Sequence, residues 1–208
     1  MTKTNLIGRL SKLIYSNERG GDGYLYRNDD DMIAESGHRS QTQYLSNFAR
    51  MMAVQTISEQ CWEALRILYA DTVGCKLFTV MTVDMKSQLA RRAFSSNIEA
   101  YPVSGTKPIH YDVWFDVVHR QKRSFVANTI KEIAAVFPDH EKIWSLGCGS
   151  VVNLPLIVEG ELVATINILH AENHYTPERV AIIETELAAP SLLAYQKATG
   201  QILTAPAI

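Results

Sequence analysis

One cysteine held between two glycines, Gly147-Cys148-Gly149-Ser150, is where residue types and spacing come nearest to a reactive site. A thiolate is the nucleophile of cysteine chemistry, and neighbouring cations or a helix N-terminus lower its pKa. His140, eight residues upstream, can accept the thiol proton and Asp139 can orient the ring, so Cys148, His140 and Asp139 form a candidate catalytic set. The glycines let the backbone approach a ligand closely. The amides of Gly149 and Ser150 can then receive an anionic group or stabilise developing charge. The same four residues also read as packing or as a plain ligand contact. Arg91 or Arg92 can anchor an acidic ligand bidentately. Neighbouring strand residues face opposite ways, so only one of the two points inward, and a surface charge is the alternative. Tyr101, Tyr111 and Trp114 can wall a pocket or simply fill a core. Asn128, Asn153 and Asn167 interrupt apolar segments. Each, if buried, must be hydrogen-bonded, either bracing a loop or touching a ligand. His170-x-Glu172-x-His174 looks like a metal string, but on an irregular loop positions four apart do not share a face, and no third ligand is evident. No metal and no cofactor are expected.

These residues need elements to position them. Residues 145–170 hold two apolar, β-branched runs, Val151–Val158 and Leu162–Leu169, either side of Glu159-Gly160-Glu161, which predicts a β-hairpin. Both faces of the hairpin are largely apolar, so it should lie centrally, with helices on one side and a cavity or loops on the other. Upstream, Phe48, Met51, Val54, Ile57, Cys61, Leu65 and Leu68 repeat at threes and fours and predict one helix over 44–72. Leu77–Val83 and Leu89–Phe94 read as an antiparallel pair around a polar loop. Residues 96–111 read as a long loop of the functional kind. Asp112 caps a short helix to Arg120, Ser124–Ala127 is a strand, and 128–137 is another short helix, with a further turn beginning at Pro138. Thr176-Pro177-Glu178 starts a last helix to about Lys197, kinked at Pro190. Residues 1–16 suit an amphipathic helix. Residues 17–43, rich in Gly, Asp and Asn, read as an extended polar arm, either a mobile tail or a strap to a partner subunit anchored by Tyr24 and Tyr26.

At 208 residues and 47% hydrophobic content the chain suits one domain with a full core, here 44–197, preceded by the helix and arm of 1–43 and followed by a tail, 198–208. A net charge of −2 argues against a nucleic-acid partner. No run is long enough for a membrane span, and no signal peptide is visible, which points to the cytoplasm. Cys61, Cys75 and Cys148 lack metal-ligand spacing and are expected to be free thiols there. The broad apolar face of 44–72 beside the last helix predicts a homodimer.

Five segments carry a resemblance: F-V-A-N-T-I near 125–130, F-P-D-H at 137–140, S-L-G-C-G-S at 145–150, the hairpin sequence 154–170, and Y-T-P-E-R at 175–179. Together with the element order they resemble the GAF domain, a small-molecule-binding relative of the PAS fold, over about 45–196. The resemblance implies an α+β fold with a central antiparallel sheet of about six strands. The first and last helices would pack on one face, with a ligand pocket under loops on the other, roofed by 137–150. The expected ligand is a small polar or acidic metabolite. No output domain is evident, so the chain is expected to act through a partner, by holding a ligand, or by catalysis. One free-standing branch of the family reduces free methionine sulfoxide with several cysteines around the pocket. Here only Cys148 falls in the corresponding loop, so that set is incomplete and a cysteine-dependent enzyme is the alternative reading.

Overall fold

A computed structural model describes residues 29–103 and 105–201. The described chain divides into two units between Ser36 and Gly37. The helix expected over 1–16 and the tyrosine-anchored strap lie outside the described residues, as does most of the tail.

The polar arm is not extended throughout. Helix α1 covers Asp29–Val54, so the later part of the 17–43 arm is helical. The single helix over 44–72 is also corrected. It breaks at Gln55–Ile57, and α2 follows over Ser58–Thr72. Val54, Thr56 and Ile57 are β-branched and lose rotamer freedom in a helix. The break leaves Val54 73% and Ile57 57% exposed, off the buried stripe to which the spacing assigned them.

Strands β1 (Leu77–Asp84), β2 (Leu89–Ser95), β3 (Thr106–Pro108), β4 (Phe125–Ala127), β5 (Ser150–Val158) and β6 (Glu161–His170) form one six-stranded antiparallel sheet in the order β3-β2-β1-β6-β5-β4. The two edge strands, β3 and β4, have three residues each. β3 lies inside the stretch expected to be loop. The central hairpin turns at Glu159-Gly160 with φ of 52° and 83°. Two positive φ angles make a two-residue turn whose twist matches the strands, and glycine takes the second without strain.

Asp112 caps α3 (Val113–Phe115), its carboxylate accepting from the Phe115 amide at 2.8 Å, and the helix runs on as a π-helical turn, Asp116–Arg120. Short helices α4 (Ile130–Ala134) and α5 (His140–Ser145) follow β4. Thr176 caps α6 (Pro177–Thr185), and α7 covers Ala188–Thr199. The last helix is therefore two helices, not one kinked helix. Proline clashes with the carbonyl four residues back, and for Pro190 that is Glu186, at the break.

Alternation along the strands sorts the side chains. Phe78, Val80, Val152, Leu154, Ile166 and Ile168 join the main core with α1, α2, α6 and α7. The buried Tyr69 and Ser191 hydroxyls, 2.9 Å apart, tie α2 to α7. On the opposite face there is no single core. One small cluster gathers Leu77, Ile133, Ile143, Cys148, Val151 and Leu169, and another gathers Phe115, Val118 and Leu162. Among the described residues no helix is long and apolar enough to cross a membrane.

Candidate functional site

Between these two clusters the sheet is left uncovered by packed side chains. A cavity of about 510 Å³ opens there. Its floor is the odd-numbered face of β1 (Leu77, Thr79, Met81, Val83), Ala90 and Arg92 of β2, Val151 and Asn153 of β5, and Asn167 and Leu169 of β6. Its walls come from Tyr101, from 108–115 and from 136–143. The roof is thus the early part of 137–150, joined by the loop before α3. Residues 144–150 take no part in it.

A one-way chain of hydrogen bonds crosses the floor. The Trp114 indole N–H donates to Asn153 Oδ1 at 2.8 Å, Asn153 Nδ2 donates to Asn167 Oδ1 at 2.8 Å, and Asn167 Nδ2 donates to Thr79 Oγ1 at 3.3 Å. Four polar groups from three adjacent strands and Trp114 of α3 are thereby hydrogen-bonded in sequence across the floor, as buried polar groups require. Of the asparagines singled out in the sequence, Asn153 and Asn167 belong to the cavity.

Arg92 is the inward member of its pair, and Arg91 is exposed. Arg92 Nη1 donates to Pro102 O at 3.1 Å, and its guanidinium carbon lies 5.1 Å from the centre of the Tyr101 ring. Lys142 Nζ lies 4.8 Å from the same ring centre. Tyr101 donates its hydroxyl to Asp139 Oδ2 at 2.8 Å. Burial first, and the Asp139 carboxylate second, push the Tyr101 phenol well above its usual range. Asp139 is therefore part of the cavity wall, bonded to a tyrosine, and not the orienter of a histidine.

No family model and no curated protein matches the sequence. Solved structures do. The GAF domain of phosphoenolpyruvate-protein phosphotransferase from Acinetobacter superposes with a TM-score of 0.58 at 12% identity, over 78% of this chain and 98% of that one. The corresponding domain from Coxiella burnetii gives 0.56 at 15% identity, over 79% and 98%. The GAF domain of nlh2 from A. aeolicus, in an inactive state, gives 0.56 at 14%, over 79% and 99%. The fold is a GAF fold.

Within this GAF fold the thiol does not reach the cavity. Cys148 is 0% exposed, embedded in the cluster around Ile133 and Ile143, and its sulfur meets Leu146 O at 3.8 Å. Burial raises its pKa and the Lys76 charge offsets this only in part, the reverse of what a nucleophile needs. His140 turns its Nδ1 to Phe137 O at 3.3 Å, and no hydrogen bond joins it to Cys148 among the described residues. The geometry therefore offers no assembled Cys148–His140–Asp139 set. The glycine-flanked loop is also committed elsewhere. The Gly149 amide donates to His170 O at 2.7 Å, and the Ser150 hydroxyl donates to Ala171 O at 2.7 Å. Gly149 is required by crowding: a Cβ there would stand 2.3 Å from Glu172 Cγ. Glu172 Oε1 in turn accepts from the Ile130 amide at 2.8 Å, at the start of α4.

Asn128 braces a loop, its Nδ2 donating to Tyr175 O at 3.0 Å. Tyr111 is 62% exposed, hydrogen-bonded to Gln88 and stacked edge-on against Phe115 at 5.0 Å. His170 and His174 stack face to face, ring centres 3.5 Å apart, with a nitrogen of His174 2.8 Å from Val73 O. Stacked rings aim their in-plane lone pairs along parallel planes, which do not converge on one ion. Thr79, Phe115 and Phe137 are cavity residues that the sequence reading passed over. The first could have been found by carrying the alternation of β1 back from Met81.

Proposed function

We propose that this GAF-fold chain is a small-molecule-binding module whose ligand, a small polar or acidic metabolite, occupies the cavity between the sheet and the 101–115 and 136–143 segments. The observation that supports this most is the break in packing on that face. Two separate apolar clusters leave about 510 Å³ between them, lined by apolar side chains with a few convergent polar groups. Binding sites have this character, whereas packed interiors leave few voids larger than a water molecule. Thermal-shift screening of a metabolite collection is expected to yield a compound that raises the melting temperature. The variant Ala90→Phe, which fills the cavity from β2, should remove that shift while keeping the far-UV spectrum. Retention of the shift in a folded Ala90→Phe protein would put the ligand elsewhere.

The helical layer supports a second copy of the chain as partner. Val54, Ile57 and Leu193, at 45% exposure or more, stand out from α1, the α1–α2 link and α7, and a groove lined by Phe48, Met51, Ile67 and Leu68 runs between the first two helices. Elution as a monomer at micromolar concentration would overturn the dimer. Cytoplasmic residence fits three cysteines that are all unpaired.

A further inference from the structure

Arg92 enters the cavity from β2 opposite Met81 of β1. Of its five N–H donors, one on Nη1 is used, by Pro102 O. Its Nε is sealed from solvent and has no partner. Among the described residues no carboxylate lies within ion-pair distance of it. A buried donor left unmade is costly, more so on a charged group. A carboxylate in the cavity can take the Nη donors that Pro102 leaves free, and its geometry matches a guanidinium.

A second donor lies diagonally across the strand pair. The Thr79 hydroxyl accepts from Asn167 and donates to nothing among the described residues. It ends a chain in which each group donates to the next, an arrangement that strengthens its members. Thr79 pairs with Ser95 and Met81 with Arg92, with a β-bulge between Val80 and Met81, and both Thr79 and Arg92 line the same cavity.

The remaining surroundings limit the charge and the body of the ligand. Asp112 and Asp139 also line the cavity, so a second negative charge on the ligand would face two carboxylates. The Gly149 amide and the Ser150 hydroxyl, which could have helped hold a phosphate, are spent on His170 O and Ala171 O. Trp114, Asn153 and Asn167 spend their side-chain donors along the chain that ends at Thr79, which leaves little to pair with a sugar or a base. The apolar lining includes Met81, Phe115, Val136, Phe137, Ile143 and Leu169, and Tyr101 and His110 are further polar residues on the wall.

We infer that the cavity selects a small monocarboxylate with an apolar, aryl-sized body, its carboxylate paired with Arg92 and hydrogen-bonded by Thr79. This rests on the cavity being the ligand site. The test is calorimetric titration of the full chain with 2-naphthoate and phenylacetate, their neutral amides 2-naphthamide and phenylacetamide, and cyclic AMP. At least one acid should bind 10-fold or more tighter than its amide. Arg92→Gln should lower affinity for that acid about 10- to 100-fold, the range for a hydrogen bond to a charged group, and leave the amide unchanged. Arg92→Lys should not restore it. Thr79→Val should weaken the acid several-fold and supplies the test if Arg92→Gln does not fold. Equal binding of acid and amide, tighter binding of cyclic AMP, or an acid preference that survives both substitutions overturns the carboxylate assignment and leaves the receptor reading standing. Binding of none of the probes, with no thermal shift from the wider metabolite collection, overturns both.

Discussion

Asn153→Ala would cut the floor of the cavity at its middle link. The substitution removes an acceptor from the Trp114 indole and a donor from Asn167 Oδ1, both at 2.8 Å in the intact chain. Asn153 and Asn167 are buried and Trp114 partly so. Each stranded buried group costs about 1–3 kcal/mol. Trp114 borders the cavity, where water can replace part of the loss, so its share lies at the low end. The sum is about 2–4 kcal/mol, or roughly 4–16 °C in melting temperature at ~2–4 °C per kcal/mol for a domain of this size. Urea denaturation of Asn153→Ala, Asn167→Ala and the double variant gives the coupling directly. Because the two side chains touch, the coupling should fall within the ~0.5–3 kcal/mol seen for interacting pairs. Additive losses, or a loss below about 0.5 kcal/mol for Asn153→Ala, the size of an ordinary surface substitution, would refute the chain of hydrogen bonds as a structural feature of the floor.

Gly149→Ala should destabilise by about 1–3 kcal/mol, the usual cost of overpacking, through its clash with Glu172, and should leave ligand affinity unchanged; an affinity loss without a stability loss would restore the loop as an anion site. Cys148 should resist iodoacetamide in the native protein at pH 8 and react on unfolding, followed by mass spectrometry of the labelled peptide; rapid native labelling would contradict its burial. Burial, then His174, lowers the His170 pKa to about 4, and burial lowers that of His174 as well. In the unfolded chain both bind protons near pH 6.5. Stability should therefore be complete above that pH and fall as the pH drops toward 4, with a slope per histidine below the one-proton limit of ~1.4 kcal/mol per pH unit. His170→Phe should flatten the part of the curve between pH 6.5 and 4 in urea titrations, and an unchanged curve would refute the assignment.

Local chemistry made some elements readable in the chain and misled on others. The hairpin of β5 and β6, the Asp112 and Thr176 caps and the β1–β2 pair were all readable, because turn residues, capping side chains and period-two alternation act within a few residues. Alternation also correctly split Arg91 from Arg92. Helix ends were misread where the deciding contact is distant. Spacing carried the stripe through Val54 and Ile57, yet the chain breaks there and α2 packs along α7, with Tyr69 meeting Ser191.

The GAF fold was legible through the resemblance of five segments, and the central hairpin and an inward arginine follow from the order of residues, since each depends on patterns that neighbours along the chain impose. The identity of the site does not. Cys148 drew attention through its glycines, but a glycine pair signals close backbone approach without saying to what, and here the approach is to Glu172. Only tertiary packing decided that the thiol joins a core cluster while Thr79, Asn153, Asn167 and Arg92, from four strands, converge on one cavity. Which side chains share an empty space depends on where packing fails between distant segments, and no local rule along the chain encodes that.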